Sequence, residues 1–158
     1  MPAALALVML VIAVAGVLVD ALHLVSVRHR AYRVAADAAL QGARAGADYG
    51  AYLTGGAIRL NPTTARDRAL DVVAREAPLW GLDDYTVDVV VLPDGGTVVG
   101  FPPHPNAQQV GGTTWTADAP AVGVYLEVRV TPLLLGWFNG NAPITVHAFA
   151  GAQLEQEE

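Results

Sequence analysis

The N-terminal part of the chain is a long apolar run with no polar face. Residues 3–19 are Ala, Leu, Val, Ile and Met with a single glycine, Gly16, and no ionisable side chain. Pro2 precedes the run and fits the first turn of a helix, where its missing N–H has no partner to lose. At about 1.5 Å per residue the run spans about 25 Å, and counting on to Val27 gives enough length to cross a bilayer. The pattern predicts a helix that is apolar on all sides.

The same helix is predicted to continue to residue 48 with two different faces. In residues 28–48, which contain no proline, the polar side chains recur every three or four positions and form one stripe. Two interpretations of the opposite face stay open: it packs on the protein's own sheet, or it assembles with helices of neighbouring subunits. For residues 3–27, which one small domain cannot bury, we favour assembly. The face opposite the stripe is apolar and small, with Ala31, Val34, Ala35, Ala38, Ala39, Gly42, Ala45 and Gly46.

The periodicity changes in the rest of the chain. Residues 64–77 carry apolar side chains at helical spacing and are predicted to form a short amphipathic helix that Pro78 stops. Residues 97–101 follow a turn and are a candidate return strand of a hairpin, and residues 101–119 are expected to form a long loop. Alternating apolar and polar positions predict strands at residues 85–91, 122–131 and 143–151.

The expected fold class is therefore α+β. A long N-terminal hydrophobic helix, residues 1–48, precedes a small domain, residues 49–158. We expect one short helix in this domain and an antiparallel sheet of three to four strands. The length of 158 residues suits a single modest core.

The composition excludes several classes of function. The chain has no Cys, which rules out disulfides, thiol nucleophiles and cysteine metal sites. Its net charge of −6 argues against nucleic acid as a partner. Ser26, the single serine, lies in the first helix, and the four histidines lack metal-ligand spacing. We expect His104 in a loop and His147 in a strand, and we expect no enzymatic activity, no metal and no cofactor.

The apolar run is expected to stay on the mature protein. A secretory signal peptide needs a basic region before a short apolar segment, followed by a small-residue cleavage site. The residues before this run contain no basic side chain, and the helical pattern continues past Val19. The nearest cations, from Arg28 onwards, follow the run, and by the positive-inside rule they place the following domain in the cytoplasm. A basic leader removed from before Met1 would reverse that orientation.

Asp20 is the first charge after the apolar run. An acid among apolar helices is energetically expensive and usually has a partner. Two interpretations stay open. Asp20 marks the membrane boundary and remains hydrated, or it forms an ion pair that sets the register of assembly. The partner in such a pair would be the α-amino group of a neighbouring subunit or a nearby Arg.

Segments near both ends of the chain carry a resemblance to a known family. Leu18, Val19 and Asp20 precede Arg28, after which residues 31–43 read AYRVAADAALQGA. Towards the C-terminus, the chain reads VRVTP from residue 128 and ITVHAFA from residue 144. The whole pattern resembles the TadE/TadG-like proteins of tight-adherence, or Flp-type, pilus systems.

This resemblance implies a pilin-like fold in an envelope protein whose C-terminal domain lies outside the cytoplasm. The resemblance does not distinguish a filament subunit from a membrane-held assembly factor. Our first hypothesis, from the burial that the apolar helix requires, is a structural subunit of a cell-surface filament with the N-terminal helices in the filament core. The alternative is a membrane-anchored accessory protein for pilus assembly or adhesion that does not polymerise. The implied partners are copies of the chain or other pilins, the inner membrane before assembly, and the pilus or secretion machinery. We expect contacts of assembly at Met1, Leu5, Gly16, Asp20, Arg28, Ala31, Ala35, Ala38 and Gly42.

Overall fold

A computed structural model describes residues 2–53, 58–104, 113–134, 136, 140 and 142–154. The fold is α+β, as predicted, with a long N-terminal helix in front of antiparallel sheets. The elements in chain order are α1 (Pro2–Gly46), β1 (Ala47–Asp48), α2 (Tyr49–Leu53), β2 (Arg59–Leu60), α3 (Pro62–Leu79), β3 (Tyr85–Leu92), β4 (Gly96–Val99), β5 (Thr114–Ala117), β6 (Ala121–Val130) and β7 (Ile144–Gln153).

The main sheet has three antiparallel strands in the order β3–β6–β7. β6 is the central strand, and it pairs with β7 along its whole length, from Ala121 opposite Gln153 to Val130 opposite Ile144. Successive residues of β6 therefore point to opposite faces of the sheet. The helices α1 and α3 cover one face, and the two-stranded sheet β4–β5 covers the other.

The larger core lies between the two helices and the sheet. α1 and α3 approach each other closely because their facing side chains are small: a Cβ built on Gly42 would lie 2.8 Å from the carbonyl oxygen of Ala65. The small face of α1 thus packs within its own domain, and this interpretation is the correct one for its residues between 31 and 43 and for Gly46, whereas Ala45 is exposed. The helices bury Ala31, Val34, Ala35, Ala38, Ala39, Ala65, Ala69, Val72 and Val73 against Val122, Val124 and Leu126 of β6.

An aromatic core lies on the opposite face of the main sheet. The ring centroid of Phe101 lies 5.9 Å from that of Trp115 and 5.5 Å from that of Phe149. Gly123 of β6 leaves the space for these rings, because a Cβ there would lie 2.9 Å from atoms of both Phe101 and Trp115. This cluster fixes β5 and the segment after β4 against the sheet.

The predicted hairpin between β3 and the strand after it is wrong. β4 pairs with β5, from Gly96 opposite Ala117 to Val99 opposite Thr114, and β5 lies within the segment predicted to be a loop. Gly95 and Gly96 have φ angles of 83° and 121°, a backbone that glycine adopts readily. The chain leaves the main sheet at these two glycines, and β3 pairs with β6 instead.

The boundaries of the second predicted helix also differ. α3 includes Pro78 in its last turn instead of ending before it. The side chain of Asn61 accepts a hydrogen bond from the Thr64 N–H at the start of the helix. At the other end the Trp80 N–H donates to the carbonyl oxygens of Glu76 and Ala77, which closes the last turn. The connection before α3 contains the short α2, and its residues 54–57 lie outside the described part.

Candidate membrane-anchoring and assembly site

α1 consists of two halves. The apolar half, residues 7–27, is largely exposed, and the domain half, residues 28–46, packs against the rest of the domain. Between residues 7 and 19, the large apolar side chains are all strongly exposed, from 43% at Val19 to 64% at Met9. The most apolar stretch of 18 residues has a mean hydropathy of 2.5, and only 11% of it is buried. Within the described residues, α1 is the one helix long and apolar enough to cross a membrane.

The exposed apolar surface of α1 continues beyond Asp20. Leu22 is 63% exposed and Val25 is 52% exposed. Arg28 is half-buried and begins the basic segment of the helix. Asp20 therefore lies inside the apolar half, about 12 Å along the helix axis from Arg28.

Asp20 is buried in this apolar surrounding, with 3% of its surface exposed. One carboxylate oxygen, Oδ1, accepts hydrogen bonds from the backbone N–H of Leu133 at 2.8 Å and of Leu134 at 3.0 Å. The second oxygen, Oδ2, lies 3.2 Å from the Leu134 nitrogen. These donors belong to the β6–β7 loop (131–143), of which 131–134, 136, 140 and 142–143 are described. Hydrogen bonds to a carboxylate are charge-assisted, and these hold the loop against α1.

Gly16, one turn before Asp20, accommodates the same loop. It is buried, and a Cβ added there would lie 3.8 Å from the Cβ of Leu134, an ordinary van der Waals distance. Leu133 and Leu134 are themselves 61% and 51% exposed. Residues 133–134 of the β6–β7 loop therefore cover α1 at Gly16 and Asp20, with both leucine side chains more than half exposed.

The position of Asp20 differs from the first interpretation, a hydrated residue at the membrane boundary. Its carboxylate is shielded from solvent by a loop of its own chain. The donors lie 113 and 114 residues away in sequence, so no local pattern could indicate them. An ion pair between Asp20 and a neighbouring subunit stays a prediction.

The expected assembly contacts on the second half of α1 require a correction. Ala31, Ala35 and Ala38 have no exposed surface, and Gly42 is buried against α3. Since the protein's own domain covers them, they are not available to a neighbouring helix. Arg28 is half-buried. Met1 lies outside the described residues, and the described part of Leu5 is its backbone in α1.

A second group of polar side chains lies beside the aromatic core. The Tyr125 hydroxyl and Nδ1 of His147 are 2.6 Å apart and share a hydrogen bond. The rings of His104 and His147 lie 4.7 Å apart between centroids, a proximity that the sequence spacing does not indicate. In the described part of the chain, no group of three or more His, Cys, Asp or Glu residues is placed to hold a metal ion.

This second group predicts a pH effect. Burial, with a smaller contribution from the charge of Glu127, raises the pKa of Tyr125 to about 12. Since folding favours the neutral phenol, its contribution to stability is complete below about pH 10 and is lost as the pH rises towards about 12. When phenolate absorbance is followed, we expect a step near pH 12 that Tyr125→Phe removes. The same absorbance change near this pH in Tyr125→Phe and in the unchanged chain would contradict this expectation.

No protein-family model, no curated protein and no solved structure matches this chain. The likeness to TadE/TadG-like proteins therefore stays a resemblance of the quoted residues.

Proposed function

We propose that this protein is a membrane-anchored, pilin-like structural subunit of a cell-surface filament. The observation that carries the proposal is the division of α1 into an apolar half exposed on nearly all sides and a half buried in the domain. Exposed apolar surface is unfavourable in water by roughly 25 cal/mol for each Å². The apolar half therefore requires cover, which the membrane provides before assembly and other helices provide afterwards.

The shape of the subunit favours repetition in a fibre. Between residues 7 and 20, the domain covers only Gly16 and Asp20, so the other sides of the helix are open to contacts with copies of the chain. A contact between two different surfaces that does not close on itself produces a helical fibre. The resemblance to TadE/TadG-like proteins supports this use. It also supports a domain outside the cytoplasm, with the inner membrane, other pilins and the pilus or secretion machinery as partners.

The second candidate function is a membrane-anchored accessory protein for pilus assembly or adhesion that does not polymerise. One observation favours it. A buried acid usually needs a partner, and in a filament a neighbouring subunit would supply one. Here Leu133 and Leu134 of the same chain already donate hydrogen bonds to Asp20. A single subunit can therefore carry this acid in a membrane.

Fractionation of cells that produce the full chain separates the two functions. Shearing without detergent releases fibres, and detergent then extracts the membranes. We expect the chain in the sheared fibres as well as in the membrane fraction. A chain found only in the detergent-soluble fraction would contradict the filament and support the accessory role. A chain that remains monomeric in the aqueous supernatant would contradict both.

A matched pair of variants tests the role of the apolar half. Val11 and Leu40 are both exposed, by 60% and 41%, but Leu40 lies on the domain half of α1. A charged side chain at the centre of a membrane helix costs about 2.5–3.5 kcal/mol. We expect Val11→Asp to lower the equilibrium constant for membrane insertion about 100-fold, the factor that this free energy represents, and to reduce the amounts in membranes and fibres. Leu40→Asp should fractionate like the unchanged chain, and equal behaviour of the two variants would argue against insertion.

A further inference from the structure

We propose that the start of the β6–β7 loop, residues 131–134, enters the membrane beside α1, with Leu133 and Leu134 against lipid and the Asp20 carboxylate sealed beneath them. The inference rests on the proposed membrane insertion of α1. It does not depend on whether the chain later polymerises.

The loop meets α1 within its apolar half, well before the first Arg. The loop contacts Gly16 and Asp20, which lie about 18 Å and about 12 Å along the helix axis from Arg28. Exposed apolar side chains continue past this level to Val25. We expect the membrane to cover α1 as far as Arg28, because the long Arg side chain can reach the headgroups. A membrane of this extent also covers the contact between the loop and α1.

The side chains and the backbone N–H groups of Leu133 and Leu134 suit that depth. Leu133 and Leu134 are both more than half exposed, and their apolar surface adjoins the exposed surface of α1. Irregular backbone is tolerated at membrane depth only where its polar groups find partners within the protein. The N–H groups of these two leucines meet this condition, because both donate to the Asp20 carboxylate.

The same contacts explain how an acid is accommodated within an apolar helix. A carboxylate that faces lipid is costly, and intramembrane acids face the protein interior or a partner. Asp20 has only 3% of its surface exposed, because the loop lies over it. The acid satisfies the loop's N–H groups, and the loop separates the acid from hydrocarbon.

Fluorescence quenching in vesicles tests this placement. Because the chain has no Cys, a single introduced cysteine carries an environment-sensitive fluorophore at one known position. The full chain is reconstituted in phosphatidylcholine vesicles as Leu134→Cys, Val11→Cys or Leu53→Cys. Leu53 is 83% exposed and follows the end of α1 remote from Asp20, so it serves as the control outside the membrane. Nitroxide lipids quench the fluorophore from a shallow or a deep position in the bilayer.

We expect the label at position 134 to lose most of its fluorescence to the deep nitroxide, because Leu134 meets α1 at Gly16, about 18 Å along the helix axis from Arg28. The label at position 11 should also be quenched, and the label at position 53 should respond to neither nitroxide. Quenching at position 11 without quenching at position 134 would overturn the loop proposal and leave the anchor intact. Absence of quenching at both positions would contradict the proposed insertion of α1, and with it the loop placement that depends on it.

Discussion

Replacing Asp20 by Ala is expected to release the β6–β7 loop from α1 while the domain stays folded. The variant removes the acceptor of the Leu133 and Leu134 N–H groups. Each hydrogen bond to a charged group contributes about 1.5–3 kcal/mol, so opening of the loop should become easier by about 3 kcal/mol or more. The core between the helices and the sheet does not include Asp20 and should keep its stability.

Amide hydrogen exchange in detergent micelles measures this release. We expect the Leu133 and Leu134 amides to exchange about 100-fold faster in Asp20→Ala, the factor that about 3 kcal/mol represents. The amide of Leu126 in the central strand should keep its protection. Asp20→Asn keeps an acceptor oxygen without the charge and should give an intermediate rate. Asp37→Ala, on an exposed position of the same helix, is the control. Unchanged exchange in Asp20→Ala would show that the carboxylate does not hold the loop.

The same variant tests the part of Asp20 in assembly. A loop that no longer covers α1 at Gly16 changes the surface that the apolar half presents to other subunits. We therefore expect Asp20→Ala to disappear from sheared fibres although its domain is folded. Fibres in normal amount from this variant would contradict a role of Asp20 in assembly and would leave the loop contact as a property of the single subunit.

The helices were predictable because helical periodicity is a local property. The small face of α1 shows in the spacing of its alanines, and this helix ends at Gly46, two residues before the predicted end. Asn61 and Pro62 mark the start of α3 through a side-chain cap and a proline in the first turn. The sequence does not decide what buries the small face, because a row of alanines suits contact with α3 as well as contact with another subunit.

The pairing of strands was not predictable in the same way. The glycine turn after β3 suggested a hairpin, but its two positive φ angles lead the chain to the other face of the sheet, where β4 meets β5. The strand β5 was missed because it is only four residues long and follows a proline-rich segment. Its Trp115 belongs to the aromatic core. The residues that contact Trp115 come from three segments: Phe101 after β4, Gly123 in β6 and Phe149 in β7.

The contact between Asp20 and the β6–β7 loop could not be predicted from the sequence for a related reason. An acid in an apolar helix needs a partner, and the apolar segment 132–138 has no obvious place in a soluble domain. Each feature could be recognised in the sequence by itself. No local sequence pattern links Asp20 to this segment, since the two are 113 residues apart. Their contact depends on the length of β6, because this strand brings the chain back along α1.

Enlarging Gly42 is expected to separate α1 from α3. A Cβ at this position would lie 2.8 Å from the Ala65 carbonyl oxygen, 3.1 Å from the Cβ of Ala69 and 3.5 Å from Cγ1 of Val122. The nearest of these atoms is backbone, so the clash cannot be relieved by a rotamer change. Overpacking costs about 1–3 kcal/mol and occasionally more, and we expect about 3 kcal/mol for Gly42→Leu. Loss of this contact would weaken the packing of α3 on α1, while α1 keeps its contacts with β6 and β7.

Gly42→Ala and Gly16→Ala form the decisive comparison, because both make the same change inside the same helix. Replacing an interior helical glycine by alanine gains about 1 kcal/mol of helix propensity. At Gly16 the new methyl group meets Leu134 at an ordinary distance of 3.8 Å, so Gly16→Ala should leave the free energy of unfolding unchanged or raise it. At Gly42 the clash should outweigh the gain and lower the free energy of unfolding, measured by urea denaturation in micelles. Since Gly42→Ala is the milder change, it keeps the test valid if Gly42→Leu fails to fold. Two alanine variants that are stabilised equally would show that α1 and α3 are not in close contact at this position.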